Sequence, residues 1–267
     1  MIQPPSPRDR DFADFACSLA DAARRETLPR FEPGVVAEDK NAGGAWDPVT
    51  DADRAAERAM RALIEYRYPN HGIAGEEFAE RPARGPYVWS LDPIDGTRSF
   101  VCGLPTWTTL IALLEDGRPV IGVIDAPRLG ERYVGHAGEA RLIGPAGARL
   151  LGTSGCRSLG EARLSTTDPH LLDAPHAFER VRAACRTTRY GHDAYAYARL
   201  AAGSIDLVIE SGLKPHDYNA LVPVVRAAGG TIGNWRGESD LSAGSIVAAA
   251  TAQLFEAAVE ALAVASA

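Results

Sequence analysis

Along the first third of the chain the apolar positions fall at helical spacing. Phe12, Phe15, Ala16, Leu19 and Ala23 recur on one face after Ser6-Pro7-Arg8-Asp9, whose Ser-x-x-Asp pattern marks a capped helix start. A second helix is expected from about 51 to 66, with Ala56, Met60, Leu63 and Ile64 facing inward, until Pro69-Asn70-His71-Gly72 turns the chain. Between the two lies EDKNAGGA, residues 38 to 45, polar and glycine-rich, which reads as a mobile loop.

From Val88 to about Tyr133 the period changes. The short apolar runs VWSL, TTLIALL and PVIGVID predict strands, the last two joined as a hairpin through Glu115-Asp116-Gly117-Arg118. A glycine- and alanine-rich stretch from Gly144 to Gly160 follows. Beyond it, strands and helices alternate: ARLST, a helix near 169 to 184, TTRYG, a helix near 193 to 202, IDLVIE, a helix near 217 to 228, TIGNW, SIVAAA and a last alanine-rich helix. Two halves are expected, an N-terminal α+β half over 1–145 and a C-terminal α/β half over 146–267, sharing one interface.

Composition changes this picture little. The chain has 267 residues, 46% hydrophobic and 24% charged, enough for a sizeable core. A formal charge of -7 argues against a nucleic-acid surface, which needs clustered lysine and arginine. The first ten residues carry Pro4, Pro5 and Pro7 among charges, unlike a signal peptide, and no apolar run reaches spanning length. These features predict a cytoplasmic protein with no membrane partner. Cys17, Cys102, Cys156 and Cys185 lie far apart with no C-x-x-C pair, and read as reduced thiols.

The candidate chemistry is acidic. Asp47 stands in WDPVTDAD, Glu76 and Glu77 in GEE, Asp92 and Asp95 in LDPIDGT, and Asp217 in GLKPHDY. Asp47, Asp53 and Asp217 also read as helix caps, Glu76 and Glu77 as a solvated loop, and Asp51, Asp53 and Glu57 as a solvated helix start. Asp92 and Asp95 resist the plain reading. They follow an apolar strand, are held close by Pro93 and Ile94, and would repel one another without a cation between them. Oxygen ligands with no histidine or cysteine nearby point to Mg²⁺, which keeps waters and shares substrate phosphate oxygens. Gly96-Thr97 then offers backbone N–H groups at an expected helix start, where phosphate binds well. Acidity alone also admits calcium, but no EF-hand spacing occurs.

The sequence resembles the inositol monophosphatase superfamily in LDPIDGT, the upstream GEE and DPVTDAD, and the acidic residue before an apolar helix and Ala-Gly-Gly. The resemblance spans about residues 40 to 235. SFVCGLPTWTTLIALLEDGRPVIGVIDAP, YGHDAYAYARLAAG and GLKPHDYNALVPVVRAAGG are similar to its histidinol-phosphate phosphatase branch. This resemblance implies an αβαβα sandwich, a homodimer and two or three Mg²⁺ ions per subunit. It implies a first Mg²⁺ held by Glu76, Asp92 and the Ile94 carbonyl, and a second held by Asp92, Asp95 and Asp217. Asp47 and Thr97 match the pair that activates water, Gly96 and Thr97 the phosphate-binding positions, and Lys40 the family's loop lysine.

For the substrate, Glu210 matches a position that faces the non-phosphate part, and Asp193 fits the aspartate of the histidinol-phosphate branch. His216 stands where that branch carries an aromatic residue. A carboxylate pair would suit an amine or imidazolium. The remaining histidines, His71, His136, His170 and His176, read as surface residues. Trp46, Trp89, Trp107 and Trp235 read as packing, Trp107 also as a pocket wall. Ser90 and Cys102 have no evident base partner and are not expected to be nucleophiles. The expected activity is Mg²⁺-dependent hydrolysis of histidinol phosphate in histidine biosynthesis. The alternatives are an inositol monophosphatase or broad sugar-phosphate phosphatase, and a non-catalytic module that binds phosphorylated metabolites.

Overall fold

Helix α1 (Pro7–Thr27) opens the chain, capped as its sequence predicts: the Ser6 hydroxyl and the Asp9 carboxylate each accept the other's backbone N–H. The computed structural model describes residues 6–31, 36–40 and 48–263. Glu38–Asp39 (β1), at the start of the segment expected to be a loop, instead pairs antiparallel with Pro48–Val49 (β2). Residues 41–47 lie outside the described residues. Helix α2 (Asp51–Arg67) follows, with a second reciprocal cap between Thr50 and Asp53.

The first sheet has seven strands in chain order. They are β3 (Gly72–Gly75), β4 (Tyr87–Asp95), β5 (Thr108–Glu115), β6 (Arg118–Ala126), β7 (Glu131–His136), β8 (Glu139–Gly144) and β9 (Gly147–Leu150), with helix α3 (Thr97–Val101) between β4 and β5. Only β3 and β4 run parallel. The expected hairpin is β5–β6, turning at Asp116 and Gly117, both at positive φ.

The second sheet has the order β11-β10-β12-β14-β13. Its elements run β10 (Arg163–Thr166), α4 (Pro175–Ala184), β11 (Thr187–Tyr190), α5 (Tyr195–Ala201), β12 (Leu207–Glu210), α6 (Pro215–Tyr218), α7 (Leu221–Ala227), β13 (Thr231–Asn234), β14 (Ile246–Ala249) and α8 (Ala252–Ala263). Helices α1 and α2 cover one face of the first sheet, α5 and α7 fill the space between the sheets, and α4 and α8 cover the far face of the second. This is the expected αβαβα sandwich, with one apolar cluster under each outer helical layer and one running through the middle helices to both sheets.

Several local expectations give way to packing. The helix expected near 169 to 184 starts only at Pro175, a residue suited to the first helical position. The helix expected over 217 to 228 is broken into α6 and α7, because Pro223 has no N–H for the Asn219 carbonyl that a continuous helix would bond. His71, expected at the surface, is buried: it stacks on Tyr68, and its Nδ1 accepts the Trp89 indole N–H at 3.1 Å. Trp107 is fully buried against Phe31 and Phe100 and is not among the described residues lining the pocket that holds Asp193 and Glu210. Trp46 lies outside the described residues.

Two close contacts carry the middle helices onto the first sheet. A Cβ added to Gly122 on β6 would fall 2.1 Å from the Ala220 carbonyl oxygen, and one at Gly135 on β7 would fall 2.4 Å from the Val224 Cα. Backbone packs against backbone there, fixing the stretch that bears Asp217. Gly122→Ala is expected to destabilise the protein by about 1–3 kcal/mol through overpacking. Thermal unfolding measures this, and an unchanged midpoint would show that α7 is free to move away.

Candidate active site

Strand β4 ends in Asp92-Pro93-Ile94-Asp95, and its local irregularity builds the site. Residues three apart on a regular strand point to opposite faces. Here Asp92 pairs with Leu110 and Asp95 with Thr108, so three steps on β4 match two on β5. The extra residue is a bulge that turns both carboxylates to one side. Pro93 cannot donate to the ladder at that point, and its carbonyl accepts the Thr109 hydroxyl at 2.8 Å. Ile94 is buried with Ala52, Phe100 and Trp107, which pins the strand end against α2 and α3.

Asp217 arrives from α6. Its carboxylate accepts the Lys214 N–H at 2.6 Å, and Asn219 in the next turn donates to the Ser90 hydroxyl on β4 at 3.1 Å. Carboxylate oxygens of Asp92, Asp95 and Asp217 consequently lie within 4.8 Å of one another. Asp95 accepts the Ala194 N–H at 2.7 Å and the Thr108 hydroxyl at 3.2 Å. Asp92 is only 2% exposed, and its Oδ1 has no hydrogen-bond partner among the described residues.

Burial and mutual repulsion push Asp92 and Asp95 well above the ordinary carboxylate range. Asp217 is raised by burial as well, against the pull of His216. Glu76 sits within hydrogen-bonding reach of Asp92. Burial raises its carboxyl, but the Lys40 ammonium at 2.9 Å outweighs that and leaves it below its ordinary value. Lys40 donates to Glu77 too. The Lys40 expected in the loop therefore stands on the acidic cluster itself.

Three converging carboxylates, an orphaned buried oxygen and an all-oxygen donor set fit a hard divalent cation. The Ile94 carbonyl accepts the Thr97 hydroxyl at 3.0 Å, which holds Thr97 at the same edge of the cluster. Gly96 lies at φ 81°, and a Cβ there would fall 2.8 Å from an Asp193 oxygen, so only glycine fits. Helix α3 begins at Thr97 as the sequence predicts.

Asp47 lies outside the described residues. Asp53 and Glu57, expected to be solvated, are buried at 1% and 0% exposure. The cap with Thr50 uses Asp53 Oδ2 and turns Oδ1 into the interior, where it has no partner among the described residues. Burial, together with Glu77 and Glu76, lifts Asp53 to about 7 despite the Thr50 hydrogen bonds. Glu57 accepts the Arg61 Nε–H at 2.7 Å and the Glu77 N–H at 2.8 Å, bracing the loop that carries Glu76. The Thr-x-x-Asp pattern in VTDAD was the available signal, since a reciprocal cap fixes the aspartate's orientation.

Beside the cluster a pocket opens between α5, β12, α6 and the loop after β10. Its wall includes Asp95, Asp168, Asp193, Glu210 and Asp217 together with Leu171, Leu172, Leu213 and Tyr197, and no lysine, arginine or histidine is among the described lining residues. Asp193, at φ 47°, is raised to about 6 by burial. Glu210 is raised to about 8 by burial, and its Oε1 accepts both the N–H and the hydroxyl of Thr167, at 2.7 and 2.9 Å. Both expected substrate residues thus reach one pocket. Asp168 was not foreseen.

A family model described as the inositol monophosphatase family matches residues 9–266. A bifunctional phosphatase of Arabidopsis thaliana, designated IMPL2 and chloroplastic, is 44% identical over 244 residues, 90% of this chain and 69% of that protein. A histidinol-phosphatase of Mycobacterium tuberculosis is 36% identical over 241 residues, 88% of this chain and 92% of that one. The solved structure of an inositol monophosphatase from Zymomonas mobilis is similar at a TM-score of 0.86 and 39% identity, covering 97% of this chain and 100% of that one.

Proposed function

Because the chain belongs to the inositol monophosphatase family and is accordingly a phosphatase, we propose that it hydrolyses histidinol phosphate to histidinol and phosphate, using Mg²⁺. The observation that supports this substrate is the pocket wall, acidic and apolar with no cationic side chain among its described lining residues. Histidinol carries an ammonium and an imidazole on a short apolar frame, which such a wall complements. A histidinol-phosphatase among the relatives supports the same substrate. The bifunctional relative and the inositol monophosphatase keep a broader phosphatase as the second reading.

In this proposal Glu76, Asp92, Asp95, Asp217 and the Ile94 carbonyl would hold two Mg²⁺ ions, Asp92 serving both, and a third would lie near Glu76. Bound cations supply charge neutralisation at the phosphate and lower the pKa of coordinated water. The Gly96 and Thr97 N–H groups hold phosphate oxygens. The Thr97 hydroxyl, fixed on the Ile94 carbonyl, orients the attacking water. Asp53 takes the role that resemblance gave to Asp47: its buried Oδ1, on a carboxyl poised near neutrality, receives the water's proton. The N-terminal half, 1–145, contributes most ligands, and the C-terminal half, 146–267, contributes Asp217, Asp193 and Glu210. We further propose that the enzyme acts as a homodimer in the cytoplasm, within histidine biosynthesis. Among the described residues no helix is long and apolar enough to cross a membrane.

Phosphate release from histidinol phosphate, inositol 1-phosphate and sugar phosphates tests the substrate. A charge-assisted contact is worth about 1.5–3 kcal/mol, so kcat/KM for histidinol phosphate is expected to lead by roughly ten- to a hundredfold. Equal or better turnover of inositol 1-phosphate would leave the phosphatase and overturn the substrate.

A further inference from the structure

The pocket's carboxylates are not equivalent. Asp95 and Asp217 converge with Asp92 in the acidic cluster. Asp193 lies against Gly96, beside the expected phosphate position, with the Ser99 hydroxyl at 3.5 Å. Glu210 has both oxygens engaged: Oε1 holds the Thr167 N–H and hydroxyl, and Oε2 accepts the Thr166 hydroxyl at 3.4 Å. It closes a small buried latch onto the residue that precedes Asp168. Burial, which favours the neutral form of Glu210, agrees with a role in holding backbone.

Asp168 differs in each respect. It is half-buried, lines the same pocket, and sits close in sequence to Leu171 and Leu172 of that wall. Its Oδ1 accepts the His170 N–H at 2.9 Å, which fixes the carboxylate's orientation and leaves Oδ2 with no hydrogen bond or ion pair among the described residues. Leu171 and Leu172 stand beside this carboxylate in the same wall and would cover an apolar ring.

Resting on the histidinol-phosphate reading, we propose that Asp168 is the specificity-determining charge that meets the substrate's cationic end, and that Glu210 is a positioning residue that holds the Thr167–Asp168 turn. The phosphate end of the site is the same for every substrate, so discrimination comes from the far end. Asp168 provides there a carboxylate oxygen that no donor among the described residues uses.

The test compares Asp168→Asn, Asp168→Glu and Glu210→Gln with wild type on histidinol phosphate and on inositol 1-phosphate. Asp168→Asn is expected to lower kcat/KM on histidinol phosphate about ten- to a hundredfold, mainly through KM, with less than about threefold change on inositol 1-phosphate. Asp168→Glu should restore part of the loss. Glu210→Gln, whose amide oxygen still accepts from Thr167, should cost less than Asp168→Asn on histidinol phosphate. Preference that survives Asp168→Asn, or an equal loss on both substrates, overturns the assignment to Asp168 while leaving the substrate reading intact. Wild-type enzyme with no preference removes the substrate reading and this inference with it.

Discussion

Asp92→Asn is expected to abolish most activity while making the metal-free protein more stable. On the activity side, Asp92 is the carboxylate proposed to touch both cations, and loss of one preorganised electrostatic contact at a reacting centre costs about a hundred- to a thousandfold in rate. Removing a shared ligand should exceed the loss from Asp95→Asn or Asp217→Asn. On the stability side, Asp92 is buried, its Oδ1 lacks a partner among the described residues, and Glu76, Asp95 and Asp217 all repel its charge. An isosteric neutral amide removes the cost of ionising this carboxyl, so the gain is read at about pH 8 and shrinks toward pH 5. Relief of about 1–3 kcal/mol would raise the unfolding midpoint of a protein this size by roughly 2–10 °C. Asp217→Asn should gain less, because Asp217 is more exposed and its carboxylate accepts the Lys214 N–H. Kinetics with saturating Mg²⁺, paired with thermal unfolding in chelator, give both numbers. Retained turnover, or a lower midpoint, would show that Asp92 serves the fold and not the reaction.

The opposed effects also explain which parts of the site could be read from residue order. Asp92 and Asp95 were legible because LDPIDGT places two carboxylates and a proline at a strand end, and the bulge that unites them needs only that local irregularity. Asp217 was legible only through resemblance, since its approach depends on the backbone contact of α7 with Gly122 and Gly135, more than eighty residues away in sequence. Asp53 and Glu57 were misread because a helix start rich in acids looks solvated unless the partners that bury it are known. The Thr50 cap, the Glu77 N–H and Arg61 supply those partners. His71 was misread for a related reason: a single histidine after Pro-Asn gives no sign that parallel pairing of β3 with β4 will bring Trp89 beside it. The layered fold was easier, because the switch from helical to strand spacing is visible in β4, β5 and β6 and in the alternation of the second half. β3, β7, β8 and β9 were not among the expected strands, and in β9 all four residues are exposed and carry no apolar pattern.

The acidic cluster should also make the stabilisation by metal depend on pH. In the metal-free protein Asp92, Asp95 and Asp217 are raised above their unfolded values, with Asp193 near 6, Asp53 near 7 and Glu210 near 8. A carboxyl with a raised folded pKa holds its proton more tightly when folded. Its contribution to stability is present in full below the unfolded value of about 4 and is lost as pH rises through the folded value. Stability without metal should therefore fall between about pH 5 and pH 8. A divalent cation competes with those protons and binds the ionised form, so its affinity rises over the same interval. At a hundredfold excess over its dissociation constant the cation adds about 2.7 kcal/mol, which corresponds to roughly 5–10 °C. The gap between Mg²⁺-loaded and chelated midpoints should be small at pH 5 and widest near pH 8, and activity should disappear in chelator at every pH. Thermal unfolding across this range, with and without Mg²⁺, measures the gap directly. A constant offset would mean that metal binding is not linked to these carboxyls. Turnover that survives exhaustive chelation would remove the metal from the reaction, leaving the acidic cluster without the role proposed for it.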